Sequence, residues 1–195
     1  MKLIRRPWIW LLRVRHRKGY GVHSPVTFAF LRGVVYESGA YYAYAQLNAL
    51  HPWWVRWFQL YPLTCRRLLF RLANYAHPAR ITLVGDCPTE AAYMSAAVPS
   101  AKLEQLESIE STSPRTAHAD LMFLSHPSLA SLPTTPIELP TTLLIVEGIH
   151  HDAVGHAAWQ RLSNDDRIAH SFDLYTYGLL FIGPPRSPRH YIINF

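Results

Sequence analysis

The run Ile81-Thr82-Leu83-Val84-Gly85-Asp86-Cys87-Pro88-Thr89-Glu90-Ala91-Ala92-Tyr93-Met94-Ser95-Ala96-Ala97 decides how the rest of the chain is read. A short apolar run meets one glycine, and a helix-compatible stretch follows until Pro99. An apolar run without polar alternation is what a strand covered on both faces of a parallel sheet presents. Leu103 to Leu106, Leu121 to Leu124 and Leu143 to Val146 repeat that signature, and Asp152 to Leu162 predicts an amphipathic helix. Ser125 to Thr142, rich in Ser, Thr and Pro, predicts a loop or a worn-down crossover. Ile168 to Tyr175, Leu179 to Ile182 and Tyr191 to Phe195 predict an antiparallel ribbon closing the sheet, with Gly178 in a tight turn.

Upstream of residue 80 the apolar spacing is helical. Ser24 and Pro25 form a helix start, followed by a stripe of Phe30, Leu31, Val34 and Val35. Thr64 is the expected cap of a further helix that places Leu68, Leu69, Leu72, Ala73 and Ala76 on one face and ends at His77-Pro78. The expected architecture is a three-layer α/β domain: a helical lead, 1–79, packed on a core, 80–195, as one compact unit.

Composition fits that size. The chain has 195 residues, 49% hydrophobic and 16% charged, which excludes a disordered polymer. Cys65 and Cys87 cannot make a disulfide framework, and no CxxC or Cys/His spacing signals structural zinc, so a reducing, cytoplasmic setting is expected. The net charge is +6, and no acidic residue precedes Glu37, whereas Lys2, Arg5, Arg6, Arg13, Arg15, Arg17, Lys18 and Arg32 are basic. Arg13 cuts short the apolar run Trp8 to Leu12, no small-residue cleavage site follows, and no stretch approaches the roughly 20 apolar residues of a membrane span.

Three groups of residues form a pattern: Gly19-Tyr20-Gly21-Val22-His23-Ser24-Pro25 with Tyr41-Tyr42-Ala43-Tyr44, Glu147-Gly148-Ile149-His150 with Ala158-Trp159, and three terminal segments. Those segments are Ser171-Phe172-Asp173-Leu174-Tyr175, Gly178-Leu179-Leu180-Phe181 and His190-Tyr191-Ile192-Ile193-Asn194-Phe195. This order of motifs resembles a group of bacterial class I S-adenosylmethionine-dependent methyltransferases. It implies a reduced Rossmann-like fold, mostly parallel with antiparallel C-terminal strands, and S-adenosylmethionine as cofactor. It further implies that Gly85 and Asp86 in the glycine turn, with Glu107 at the end of the second strand against the ribose, would hold that cofactor.

The middle of the chain departs from the pattern. Thr89 stands where the family has a second glycine, Leu83 replaces an acidic residue, and Pro88 removes an N–H donor. Only Ser108 to Ala119 separate Glu107 from Asp120, where the family fits a helix, a strand and a second helix, while one parallel crossover alone takes about a dozen residues. Ser125 and Gly148 occupy two of three acidic metal positions, leaving Glu147, too few hard oxygen ligands for Mg²⁺. No resident metal is therefore expected. The combination implies a degraded cofactor site and a non-catalytic or weakly active interaction protein; the alternative is a working methyltransferase of unknown acceptor.

For that alternative, His150 and Glu147 are the candidate proton-handling groups, since an imidazole near its ordinary pKa can take an acceptor's proton. Asp152 and His156, a helical turn apart beside His150 and His151, form a conceivable metal pair, but Asp152 is better read as a helix cap. His23 is expected to pack beside the capping Ser24, and Cys87 to be a small buried side chain rather than a helix-end nucleophile. Tyr41, Tyr42, Tyr44, Trp53, Trp54, Trp57 and Phe58, with the basic lead, point to a protein partner before nucleic acid or an anionic membrane surface.

Overall fold

In a computed structural model, residues 11–16, 22, 24–57, 61–109, 119–133, 139, 142–184 and 189–195 are described. The apolar runs pair into one sheet. Its strands are β1 (Arg80–Val84), β2 (Lys102–Leu106), β3 (Leu121–Leu124), β4 (Leu143–Glu147), β5 (Ile168–Asp173), β6 (Tyr177–Ile182) and β7 (Arg189–Ile192). They lie in the order β2-β1-β3-β4-β6-β5-β7. β1 pairs in parallel with β2 and β3, and β3 with β4, so that Ile81 stands beside both Leu103 and Leu121. β6 inserts antiparallel between β4 and β5. The fold is thus a mixed, Rossmann-like α/β sheet.

Side chains alternate across a strand, which explains why the runs read as continuously apolar. Ile81, Leu83, Leu121, Phe123, Leu143 and Ile145 face the lead and share a core with Phe30, Leu31, Leu68, Leu69 and Leu72. Val84, Met122, Leu124, Leu144 and Val146 face the other way, onto Ala158, Trp159 and Leu162. One face is therefore roofed by α1 (Pro25–Phe30) and α4 (Tyr61–Ala76), the other by α6 (Ala153–Ser163). Between them in the chain run α2 (Ala43–Asn48), α3 (Trp53–Trp57) and α5 (Pro88–Ala97). Ser24 caps α1, its Oγ accepting the Thr27 N–H at 3.4 Å. α1 runs on into a π-helical turn, Leu31–Val35, and the buried Arg71 donates to the Val34 and Val35 carbonyls at 2.6 and 3.1 Å. A buried guanidinium thus satisfies carbonyls that a helix end leaves open.

Three expectations are corrected. Thr64 lies inside the first turns of α4 and is not its cap. Gly178 lies within β6, opposite Asp173 and Val146, rather than in a turn; the turn residue is Tyr175, at φ 73. A Cβ on Gly178 would stand 2.2 Å from the Trp159 ring, so glycine is required there by packing and not by backbone freedom. β7 runs parallel to β5, so the terminal unit is a hairpin plus a parallel edge strand. Among the described residues no helix is long and apolar enough to cross a membrane.

Candidate functional site

Parallel strands deliver their C-terminal ends to one edge of the sheet, where crevices form in open α/β folds. At the end of β1, Gly85 takes φ +97, a conformation glycine adopts without strain. Its N–H donates to Leu106 O at 2.8 Å, and its carbonyl accepts from Gln105 Nε2 at 2.8 Å. The space a side chain would fill is taken: a Cβ would meet Ser125 Oγ at 2.1 Å. Asp86 is exposed, and Glu107 is exposed one residue beyond Leu106, which pairs with Val84. The fold therefore hydrogen-bonds Gly85, the neighbour of Asp86, to Leu106, the neighbour of Glu107. Cys87 is buried; burial foremost, and Glu90 next, push its thiol up to about 11, so it remains a protonated thiol.

At the ends of β3 and β4 the polar groups are denser. Burial raises the Glu147 carboxyl above its ordinary range, and its Oε2 accepts the His126 backbone N–H at 3.2 Å. His150 Nε2 lies 2.7 Å from Asp173 Oδ2, while Arg13 donates to Asp173 Oδ1 and Oδ2 at 2.8 and 2.9 Å. The His150 ring stacks on Tyr175 at 5.3 Å, and the Arg13 guanidinium sits 5.2 Å from the same ring centroid. Burial alone would raise the Asp173 carboxyl; hydrogen bonds from His150 and Arg13, with the Arg13 charge, outweigh it and hold it well below the usual range. Nε2 of His150 is thus committed to Asp173 as a donor, and Arg13 Nη2 lies 3.1 Å from it without sharing that hydrogen bond. Of its two ring nitrogens, Nδ1 is the one outside this network.

His150 and Glu147 consequently share a strand end but belong to separate networks. The partners of His150, Arg13 and Asp173, were not singled out as site residues by sequence reasoning. In the sequence Arg13 belongs to a charged lead and Asp173 to a ribbon, and no local signal links two residues so far apart in the chain.

A third group lies beside Glu147. His126 Nε2, His151 Nδ1 and Asp152 Oδ2 converge, with separations of 3.2 Å between the imidazole nitrogens and 2.9 and 3.3 Å from each to the carboxylate. Asp152 caps α6 as expected, Oδ1 accepting the Gly155 N–H at 2.9 Å. That hydrogen bond, then those with the histidines, lower its carboxyl to about 2. The Asp152–His156 pair considered from spacing is replaced by this arrangement; the His156 ring lies 5.5 Å from that of His150, and its Nε2 is 3.1 Å from Gln160 Nε2.

In the lead, Tyr41 and Tyr44 pack on Phe70, whereas Tyr42, Trp53, Trp54 and Trp57 are exposed. The expectations for His23, Phe58, Arg5, Arg6, Arg17 and Lys18 lie outside the described residues.

No protein-family profile and no curated protein sequence matches the chain. Among solved structures it is similar to the O-methyltransferase TomG from Streptomyces achromogenes, involved in tomaymycin synthesis and solved in complex with SAM. The identity is 15%, covering 82% of this chain and 95% of that one, with a TM-score of 0.43. It is also similar to a methyltransferase from Geobacter sulfurreducens, at 12% identity over 83% and 96% of the two chains and a TM-score of 0.40.

Proposed function

We propose that the chain is a methyltransferase-like protein of a reducing, cytoplasmic compartment that has lost an effective cofactor site and serves as a binding or interaction protein. The observation that carries this reading is the shortness of the connection from β2 to β3. These strands flank β1 and run parallel to it, and residues 107–120 alone join them. A parallel crossover consumes about a dozen residues, and the connection has little more. Nothing remains for an additional strand and helix beyond β2 to wall in a nucleoside.

The glycine turn supports the same reading. A glycine that cradles a ligand leaves its bare face open, but here Ser125 Oγ packs against it. The donor set therefore does not fit S-adenosylmethionine as a closed site, and Glu107 offers a ribose-binding carboxylate without an enclosing wall. The exposed Trp53, Trp54 and Trp57, 73%, 47% and 78% accessible, make the lead the candidate surface for a protein partner, with nucleic acid or an anionic membrane surface less favoured.

A second reading, a working methyltransferase, is favoured by the His150–Asp173 contact, because an imidazole oriented by a carboxylate is the arrangement of a general base. Gly85, Asp86 and Glu107 would then bind the cofactor, and His150 or Glu147 would handle the acceptor proton. Thermal unfolding with S-adenosylmethionine and S-adenosylhomocysteine separates the two. A ligand at a hundredfold excess over its Kd stabilises by about 2.7 kcal/mol. The first reading expects no rise in Tm at millimolar ligand; a rise abolished by Glu107→Ala overturns it.

A further inference from the structure

We propose that His126 Nε2, His151 Nδ1 and Asp152 Oδ2 form a binding site for a first-row divalent transition metal ion, with Zn²⁺ the best match. A tetrahedral ion with metal–donor distances of about 2.0–2.2 Å places its ligand atoms about 3.3–3.5 Å apart. The three separations here, 2.9 to 3.3 Å, need only slight spreading to meet that figure.

The donor set selects the ion. Two imidazoles and one carboxylate suit Zn²⁺ and its neighbours, whereas Mg²⁺ and Ca²⁺ take several hard oxygens. Three protein ligands leave a fourth position for water or substrate, the count of a catalytic rather than a structural zinc site. That position has room, because the His126, His151 and Asp152 side chains are 24%, 41% and 43% accessible.

The surroundings hold the ligands in place. Asp152 Oδ1 is occupied by the Gly155 N–H, which aims Oδ2 at the imidazoles. The His126 main chain is fixed by Glu147. Its ring lies where any side chain on Gly148 would be, a Cβ there standing 2.5 Å from His126 Cδ2, and Gly148 has φ +75. Gly155 in turn gives room to the Gly148 carbonyl. Gly148 thus leaves the space that the His126 ring fills, and the Glu147 carboxylate anchors the His126 backbone. The site uses neither of the positions at which the resembled family carries its acidic ligands that are altered here, Ser125 and Gly148, so it reverses the expectation of no metal with different chemistry.

The test uses the tag-free full chain. Zn²⁺ titration against a chromophoric chelator should give one equivalent bound, and Co²⁺ should give the intense visible absorption of a four-coordinate site. His126→Ala, His151→Ala and Asp152→Asn, the last keeping a capping oxygen, should each weaken Zn²⁺ at least about 100-fold, beyond the roughly 10–100-fold of losing an outer hydrogen bond. His156→Ala should bind as the parent does. Should a variant misfold, the parent still decides: Zn²⁺ should shield His126 and His151, but not His156, from diethyl pyrocarbonate. No stoichiometric uptake, a six-coordinate Co²⁺ spectrum, or equal modification with and without Zn²⁺ would overturn the proposal.

Discussion

At the residue scale the determining feature is the sharing of Asp173 between Arg13 and His150. A buried carboxylate keeps its charge only if compensated, so removing Arg13 leaves it dependent on His150 alone. Arg13→Gln should cost about 2–3 kcal/mol at neutral pH, below the roughly 3–5 kcal/mol of a fully broken buried pair, because His150 still reaches the carboxylate. The sign with pH follows from the depressed carboxyl of Asp173. Its contribution is complete above the ordinary aspartate value of about 4 and is lost as pH falls below it. Denaturant unfolding of the two proteins at about pH 7 and about pH 3 should therefore show the difference shrinking in acid. A constant difference would remove Asp173 as the cause.

At the element scale, the antiparallel insertion of β6 depends on Gly178, whose bare α-carbon lets the Trp159 ring of α6 lie on the strand. Gly178→Ala should destabilise by about 1–3 kcal/mol through overpacking. In Gly178→Ala/Trp159→Leu the two effects should fall short of their sum, since the smaller side chain vacates the space the methyl needs. Additive thermal or denaturant values would show that Trp159 is not the obstacle. This is also where the sequence misleads: a glycine between two apolar runs reads as a turn, because local patterning carries no record of the helix that will pack on it. Tyr175, the residue that does turn at positive φ, carries no glycine-like signal. Strands and helices with strong apolar periodicity, such as β1, β3, β4 and α6, were legible to within about a residue because their burial is written into consecutive positions.

At the scale of the whole molecule, the helical lead and the sheet share one core, in which Phe30, Leu31, Leu68, Leu69 and Leu72 cover strand residues from Ile81 to Leu179. Each large apolar side chain exposed by removing that cover forfeits about 1.5–3 kcal/mol, and a domain has only about 5–15 kcal/mol in all. Residues 80–195 alone should therefore fail to unfold cooperatively and should bind a hydrophobic dye, while the full chain unfolds in one transition. A fragment with a sharp, native-like melt would make the lead a separate unit. The tail reinforces this closure: Asn194 N–H donates to His16 O at 3.0 Å, and Tyr36 OH donates to Asn194 O at 2.7 Å.

The amino-acid order alone determined the layers, because burial on two faces of a strand or one face of a helix is imposed at every second, or every third and fourth, position. It also determined that the crossover after Glu107 is short, since that is a matter of counting residues. Which imidazole meets which carboxylate was decided only in three dimensions. His126 joins His151 and Asp152, and Arg13 joins Asp173, because parallel pairing sets strand ends from distant stretches side by side, and side-chain chemistry within a few ångströms leaves no periodic trace along the chain.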